Sequence, residues 1–144
     1  MRYVALCLLL PMAVGCGRPA MVSVKGIVTY NGKPLKGCKV SFTPSGTDFN
    51  PDRHGYGFGI TDANGAYEVQ HPEGSKGIFP GTYKVTFVAW VDKKGQPVPP
   101  DAKPSEYPGG VVNLLPPKYE SQADTPETVT VPSGGLQKDF NLTK

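Results

Sequence analysis

Histidine, tryptophan and cysteine are all scarce in this sequence. The chain carries His54 and His71, a single Trp90, and three cysteines at positions 7, 16 and 38. That inventory leaves little material for nucleophilic or redox chemistry. A Ser-His-Asp set could be drawn from His54, Asp52 and any serine, but a triad is defined by geometry rather than by inventory. No Gly-x-Ser-x-Gly elbow is present either. Basic clusters are missing: Lys93-Lys94 is the one adjacent pair, and the formal net charge is +3. Nucleic-acid binding wants a basic patch or stripe, so no nucleic-acid partner is expected. No apolar run reaches the roughly 20 residues a membrane-spanning helix needs. From residue 22 onward no window of useful length repeats with helical spacing.

Glycine and proline are plentiful, at 18 and 16 of 144 residues. They punctuate apolar alternating runs rather than forming a tract, which is the pattern of short strands and turns. A chain of this length fits one domain and needs no disulfide to fold.

The first residues have a different character. Arg2 supplies a positive start, and residues 4–14 (VALCLLLPMAV) are eleven apolar residues in a row. This is too short to span a bilayer and has the build of a signal peptide. The stretch Ala13-Val14-Gly15-Cys16 resembles a lipobox, the motif of bacterial lipoproteins, with Ala13 where Leu is usual. The resemblance implies cleavage after residue 15 and lipidation of Cys16. Residues 1–15 are then the signal peptide, residues 16–21 a lipidated tether, and residues 22–144 the domain. Acyl chains contribute about 0.8 kcal/mol per buried methylene, and two or more hold a protein on a membrane. Gly17 stands where an inner-membrane retention signal would have Asp. The expected address is therefore the outer membrane or cell surface, reached by secretion. The tether reaches less than roughly 20 Å, so the domain must sit close to the membrane.

Within the domain, period-two alternation dominates. Val22, Val24, Gly26, Val28 and Tyr30 share one face, with Ile27 out of pattern. Asn31-Gly32 offers the positive-φ pair of a tight hairpin. Cys38, Val40 and Phe42 form the next apolar face. Tyr56, Phe58 and Ile60 alternate with Gly57, Gly59 and Thr61, and Asp62-Ala63-Asn64-Gly65 makes a second tight turn before Tyr67 and Val69. The longest run is Tyr83, Val85, Phe87, Ala89 and Val91, against Lys84, Thr86, Val88 and Trp90. A Pro-rich loop covers residues 93–110. Short strands are expected at residues 111–115, at Val129 and Val131, and at Leu136, Phe140 and Leu142, with Lys138 out of pattern. Seven or eight strands, each with one apolar face, predict two sheets packed as an all-β sandwich.

The ordered set of motifs resembles a known family. Val24-x-Gly26-x-Val28, Asn31-Gly32-Lys33-Pro34-Leu35, Thr61-Asp62-x-x-Gly65-x-Tyr67 and Pro80-Gly81-x-Tyr83-x-Val85 together resemble the carboxypeptidase regulatory-like domain. Pro116-Pro117-Lys118-Tyr119 and the closing Phe140-x-Leu142 resemble its short lipoprotein form, abundant in planctomycete bacteria. The resemblance spans about residues 22–142. It implies a transthyretin-like, prealbumin-like Greek-key sandwich and a non-catalytic accessory role. The enzymatic hydroxyisourate hydrolases of that fold end in Tyr-Arg-Gly-Ser; this chain ends Phe140-Asn141-Leu142-Thr143-Lys144, so their activity does not carry over.

Asp48, Asp52 and His54 are close enough in sequence to gather a metal, but a solvated loop accounts for them, and no metal or cofactor is expected. Asp62-x-Asn64-Gly65 differs from a calcium loop in the place of its glycine. Cys38, alternating with Val40 and Phe42, reads as a small buried hydrophobe. Asn141-Leu142-Thr143 matches a glycosylation sequon, accidental in a bacterial lipoprotein. Val88 and Trp90, with Tyr107, form a candidate contact patch. The expected function is a non-enzymatic, membrane-anchored cell-envelope lipoprotein with a structural role or a protein or polysaccharide partner. The alternative is a glycan- or small-ligand-binding module using exposed aromatics.

Overall fold

The protein is described by a computed structural model over residue 17, residues 19–46 and residues 55–144. The signal segment, Cys16, Asp48, Asp52 and His54 lie outside the described residues. The described residues are all-β, their helical content being single 3-10 turns at Pro104–Glu106 and Pro117–Tyr119.

Two sheets pack face to face. In the first, β1 (Val24–Tyr30) is central. It pairs antiparallel with β2 (Lys33–Pro34) and β5 (Ala66–Glu68). It pairs parallel with β10 (Leu136–Gln137) and β11 (Phe140–Leu142), two segments of one line near the C-terminus. The second sheet has the order β4 (Gly57–Ile60), β3 (Lys39–Pro44), β6 (Gly81–Val88) and β9 (Thr128–Val131), antiparallel throughout. A small pair, β7 (Trp90–Val91) and β8 (Val112–Asn113), extends from the end of β6.

Inward-facing residues alternate as the sequence requires. Val24 and Val28 from β1 and Phe140 and Leu142 from β11 meet Val40, Phe42, Tyr83, Val85 and Phe87 from the second sheet. The centre is aromatic. Phe140 lies 5.0 Å from Phe87 and 6.4 Å from Phe42, centroid to centroid, both edge-on, the arrangement ring quadrupoles favour. Tyr119 closes one side against Phe87 at 6.0 Å, which pins residues 116–119 onto the sandwich. Tyr83 donates its hydroxyl to the Phe79 carbonyl at 2.7 Å.

Strand β4 turns the other way round from the greasy-face-inward pattern. Gly57, Gly59 and Thr61 are buried, whereas Tyr56 and Phe58 are half-buried on the outer face and Ile60 is 47% exposed. Space decides this. A Cβ on Gly57 would sit 2.1 Å from Ile78, and one on Gly59 would sit 2.8 Å from the Glu68 carbonyl oxygen. Phe58 exchanges two backbone hydrogen bonds with Gln70, at 3.0 and 2.8 Å, which joins the two sheets along this side.

The turns follow their residues. Asn31 and Gly32 take φ of 48° and 80° and close the β1–β2 hairpin. Asp62 Oδ1 accepts from the N–H groups of Asn64 and Ala66, and Gly65 has φ of 75°. Strands β4 and β5 belong to different sheets, so this turn is a corner between layers. The same wiring recurs at Asp92: its Oδ1 accepts from Lys94 and Gln96, and Gly95 has φ of 74°.

The sandwich has two distinct ends. The chain enters at Val22, which exchanges backbone hydrogen bonds with Ile78. Seven residues of β1, at about 3.3 Å each, carry it to the opposite end. There Val28 bonds to Gly65 and Leu35, and Gly37 bonds to Thr61. Strand β6 delivers the excursion of residues 89–120 to that same far end, because Val88 pairs with Lys39 at the start of β3.

Candidate functional site

At the far end a groove of about 510 Å³ opens between three chain segments. Lys36 and Gly37 come from the link into β3, Ile60 and Thr61 from the end of β4, and residues 96–101 from the excursion. A floor bond and a ladder contact hold the proline strip there. Val98 donates its N–H to the Trp90 carbonyl at 2.8 Å, and Pro97 bridges to Val91. Val98 is buried, and the prolines on either side of it lack N–H groups that would need partners. The remaining wall is fixed by Thr61. Its buried hydroxyl accepts from the Cys38 N–H at 2.9 Å and donates to the Leu35 carbonyl.

The lining is mainly apolar, with Lys36 and Asp101 exposed on its rim. Among the described residues neither rim charge has an ion-pair partner; the pairs present are His71–Glu73 and Lys76–Glu68. No aromatic ring lines the groove. From Ile60 the outer face of the second sheet continues through Phe58 and Lys39. The Lys39 ammonium lies 5.0 Å from the Phe58 ring centroid, and Tyr56 packs on Phe58 at 6.1 Å.

The three residues of the candidate contact patch do not converge into one pocket. Val88 and Trp90 are half-buried on one side of the alternation that continues from β6 into β7. Tyr107 lines a separate concavity of about 330 Å³ with Asp92, Lys93, Lys94 and Pro108. No ring contact joins Trp90 to Tyr107 among the described residues. Val112 and Leu114, flanking Asn113 in β8, are exposed apolar side chains beside this region.

His71 lines neither concavity. Its Nδ1 stands 3.6 Å from the Glu73 carboxylate, on an exposed turn. Cys38 is fully buried, and burial pushes its thiol up to about 12, partly offset by a backbone hydrogen bond at Val88. A thiol so placed is inert at neutral pH. Burial likewise raises Tyr67, with the Asp139 charge adding to it. It also raises Tyr83, to about 12. Among the described residues no group of three or more His, Cys, Asp and Glu could hold a metal ion. Among them also no helix is long and apolar enough to cross a membrane.

Sequence reading did not find the groove. Its walls are separated by more than twenty residues of chain at each step, and the one local signal was the run Pro97-x-Pro99-Pro100.

No protein-family model matches the chain, and no curated protein matches it. Among solved structures, a 9R-lipoxygenase from Cyanothece PCC8801 is similar over 85% of this chain at 19% identity, with a TM-score of 0.34. The chain spans 16% of that protein's length.

Proposed function

We propose that the chain is a non-enzymatic, lipid-anchored envelope protein whose sandwich presents a protein-binding surface away from the membrane. The observation that carries this reading is the polarity of the domain. The chain enters at Val22, and the groove and the 89–120 excursion lie at the opposite end of β1. A Cys16 anchored in lipid through a short tether would place that end roughly 20 Å or more above the surface, given the rise per residue of a strand. The groove favours protein over glycan. Sugar recognition commonly leans on exposed ring faces, and this lining has none, whereas a mainly apolar wall with single charges at its rim suits side chains.

The motifs from Val24 to Leu142 support a carboxypeptidase regulatory-like domain of the transthyretin-like kind. The roles of Asn31-Gly32, Asp62, Gly65, Tyr67 and Tyr83 as turn and packing residues agree with a domain selected for its frame.

Two measurements test the proposal. Mass spectrometry of the mature N-terminus should find a diacylglyceryl-modified Cys16. Photo-crosslinking in intact envelopes, with the probe at Gln96 or at Gln137, should capture a protein from the first position and not from the second. An unmodified Cys16 on a soluble product, or equal capture from both ends, overturns it.

A further inference from the structure

The groove and the sheet face beside it form a surface that is complementary to itself. We infer that this surface is the contact between two copies of the chain. The contact itself does not require the lipid anchor; its occupancy on a membrane rests on the anchoring proposed above.

Three observations carry it. First, the rim is bipolar: Lys36 and Asp101 are exposed, of opposite sign, and without ion-pair partners among the described residues. An isologous contact sets each patch against its own copy, residue i on j and j on i. A two-fold axis through the groove floor therefore sets Lys36 of each copy against Asp101 of the other. A partner of single charge would satisfy one rim residue and repel the other. Second, the walls of the groove expose apolar surface. Ile60 is 47% exposed at the groove margin, and Pro97 and Pro99 are exposed along it. Third, the surface continues sideways. Phe58 and Lys39 extend it over the outer face of β4 and β3, so the contact opens to the flank of the sandwich. Two copies standing on one membrane can meet through a flank.

Magnitude sets the kind of contact. Strands β4 and β3, about 4.8 Å apart and about 13 and 20 Å long, offer roughly one to two hundred Å². The groove adds to this, yet the total falls short of the roughly 800 Å² per partner of a stable interface. The association is therefore weak and exchanging, and confinement to a surface raises its occupancy.

The test uses the full chain purified in mild detergent, as a mixture of unlabelled and ¹⁵N-labelled protein. A zero-length carbodiimide joins amines to carboxylates that touch. The expected product is a mixed-isotope peptide linking Lys36 to Asp101. Sedimentation should show a dimer that weakens about tenfold in Lys36→Asp and in Asp101→Lys, the combined size of the two symmetry-related, solvent-exposed rim pairs turned repulsive. The double exchange, Lys36→Asp with Asp101→Lys, should restore it. Ile60→Lys, on an exposed side chain, should abolish it while leaving the circular dichroism unchanged. Links of a single isotope with no mixed ones, a monomer at every concentration, or a dimer indifferent to these changes overturns the inference. A dimeric but unlipidated product would instead sink the anchoring proposal and leave this one standing.

Discussion

The hydroxyl of Tyr67 donates to the main-chain carbonyl of Lys138 at 2.7 Å, across 71 residues of sequence. That carbonyl sits where β10 gives way to β11. The register against β1 is the same on both sides of the break, Val24 opposite Leu136 and Val28 opposite Phe140. Between them the Lys138 N–H still donates to the Lys25 carbonyl at 2.8 Å, and at the next step a side chain takes over, Asp139 Oδ1 accepting the Ile27 N–H at 2.8 Å. Gly26 makes room, since a Cβ there would lie 1.8 Å from the Lys138 oxygen. Tyr67→Phe should lose about 1–3 kcal/mol, the cost of a part-buried carbonyl left without its donor. Gly26→Ala should cost more, because backbone must move. Urea unfolding of both variants checks the order.

Thr61 is the second stitch. Its hydroxyl serves the Cys38 N–H and the Leu35 carbonyl, both at the buried far end. Thr61→Val keeps the shape and strands two polar groups, so a loss of about 2 kcal/mol or more is expected. Thr61→Ser keeps the hydroxyl and loses one methyl, worth about 1 kcal/mol. A smaller loss for Val than for Ser would show that the hydroxyl does not hold this wall.

How much of this was legible depends on whether the determinant is local. The Asn31-Gly32 hairpin and the inward face from Tyr83 to Val91 need only neighbours in sequence and stand as read, but the run expected as one strand breaks at Ala89 into β6 and β7, and Thr86 on its other face is buried. Gly65 also takes its positive φ in the tight turn expected there, but nothing local shows that the strands it joins, β4 and β5, lie in different layers. The outward rings of β4 were illegible. Glycine faces inward there because Ile78, Val69 and Glu68 already fill the space, and those residues come later in the chain. Lys138 stood out as an exception, but its reason is a tyrosine far upstream. The Asp92 turn was written in the same letters as the Asp62 turn and was hidden inside a loop named for its prolines.

Alkaline pH should weaken the fold. Burial raises Cys38 from its ordinary 9.0 to about 12 and Tyr83 from 10.0 to about 12, and raises Tyr67 as well. The folded chain therefore keeps protons that the unfolded chain releases. Stability is full below about pH 9 and falls as pH rises toward 12, by about 1.4 kcal/mol per pH unit for each group so titrating. Urea midpoints measured from pH 8 to 11 give the slope. Cys38→Ala removes one of the protons and should flatten the slope between pH 9 and 10, where the tyrosines contribute least. In the same range a thiol reagent should leave native Cys38 unmodified.

The two aspartate turns give a matched pair. Asp62 and Asp92 each accept two backbone N–H groups through Oδ1, at 2.8 and 3.0 Å for the first and 2.8 and 2.9 Å for the second. Each is followed three residues later by a glycine whose N–H returns to the aspartate carbonyl, at 3.0 and 2.9 Å. Because the wiring is the same, Asp62→Ala and Asp92→Ala should cost similar amounts, about 1 kcal/mol each. The turns share no hydrogen-bond partner, so the double variant should lose the sum to within about 0.5 kcal/mol. Asn at either position keeps an acceptor oxygen and should recover most of the loss. One oxygen of each carboxylate is engaged by two N–H groups, and among the described residues no cluster of three or more His, Cys, Asp and Glu gathers at either turn, so added calcium should leave Tm unchanged. A calcium-dependent rise in Tm that Asp62→Asn abolishes would mean that the turn binds an ion rather than its own backbone.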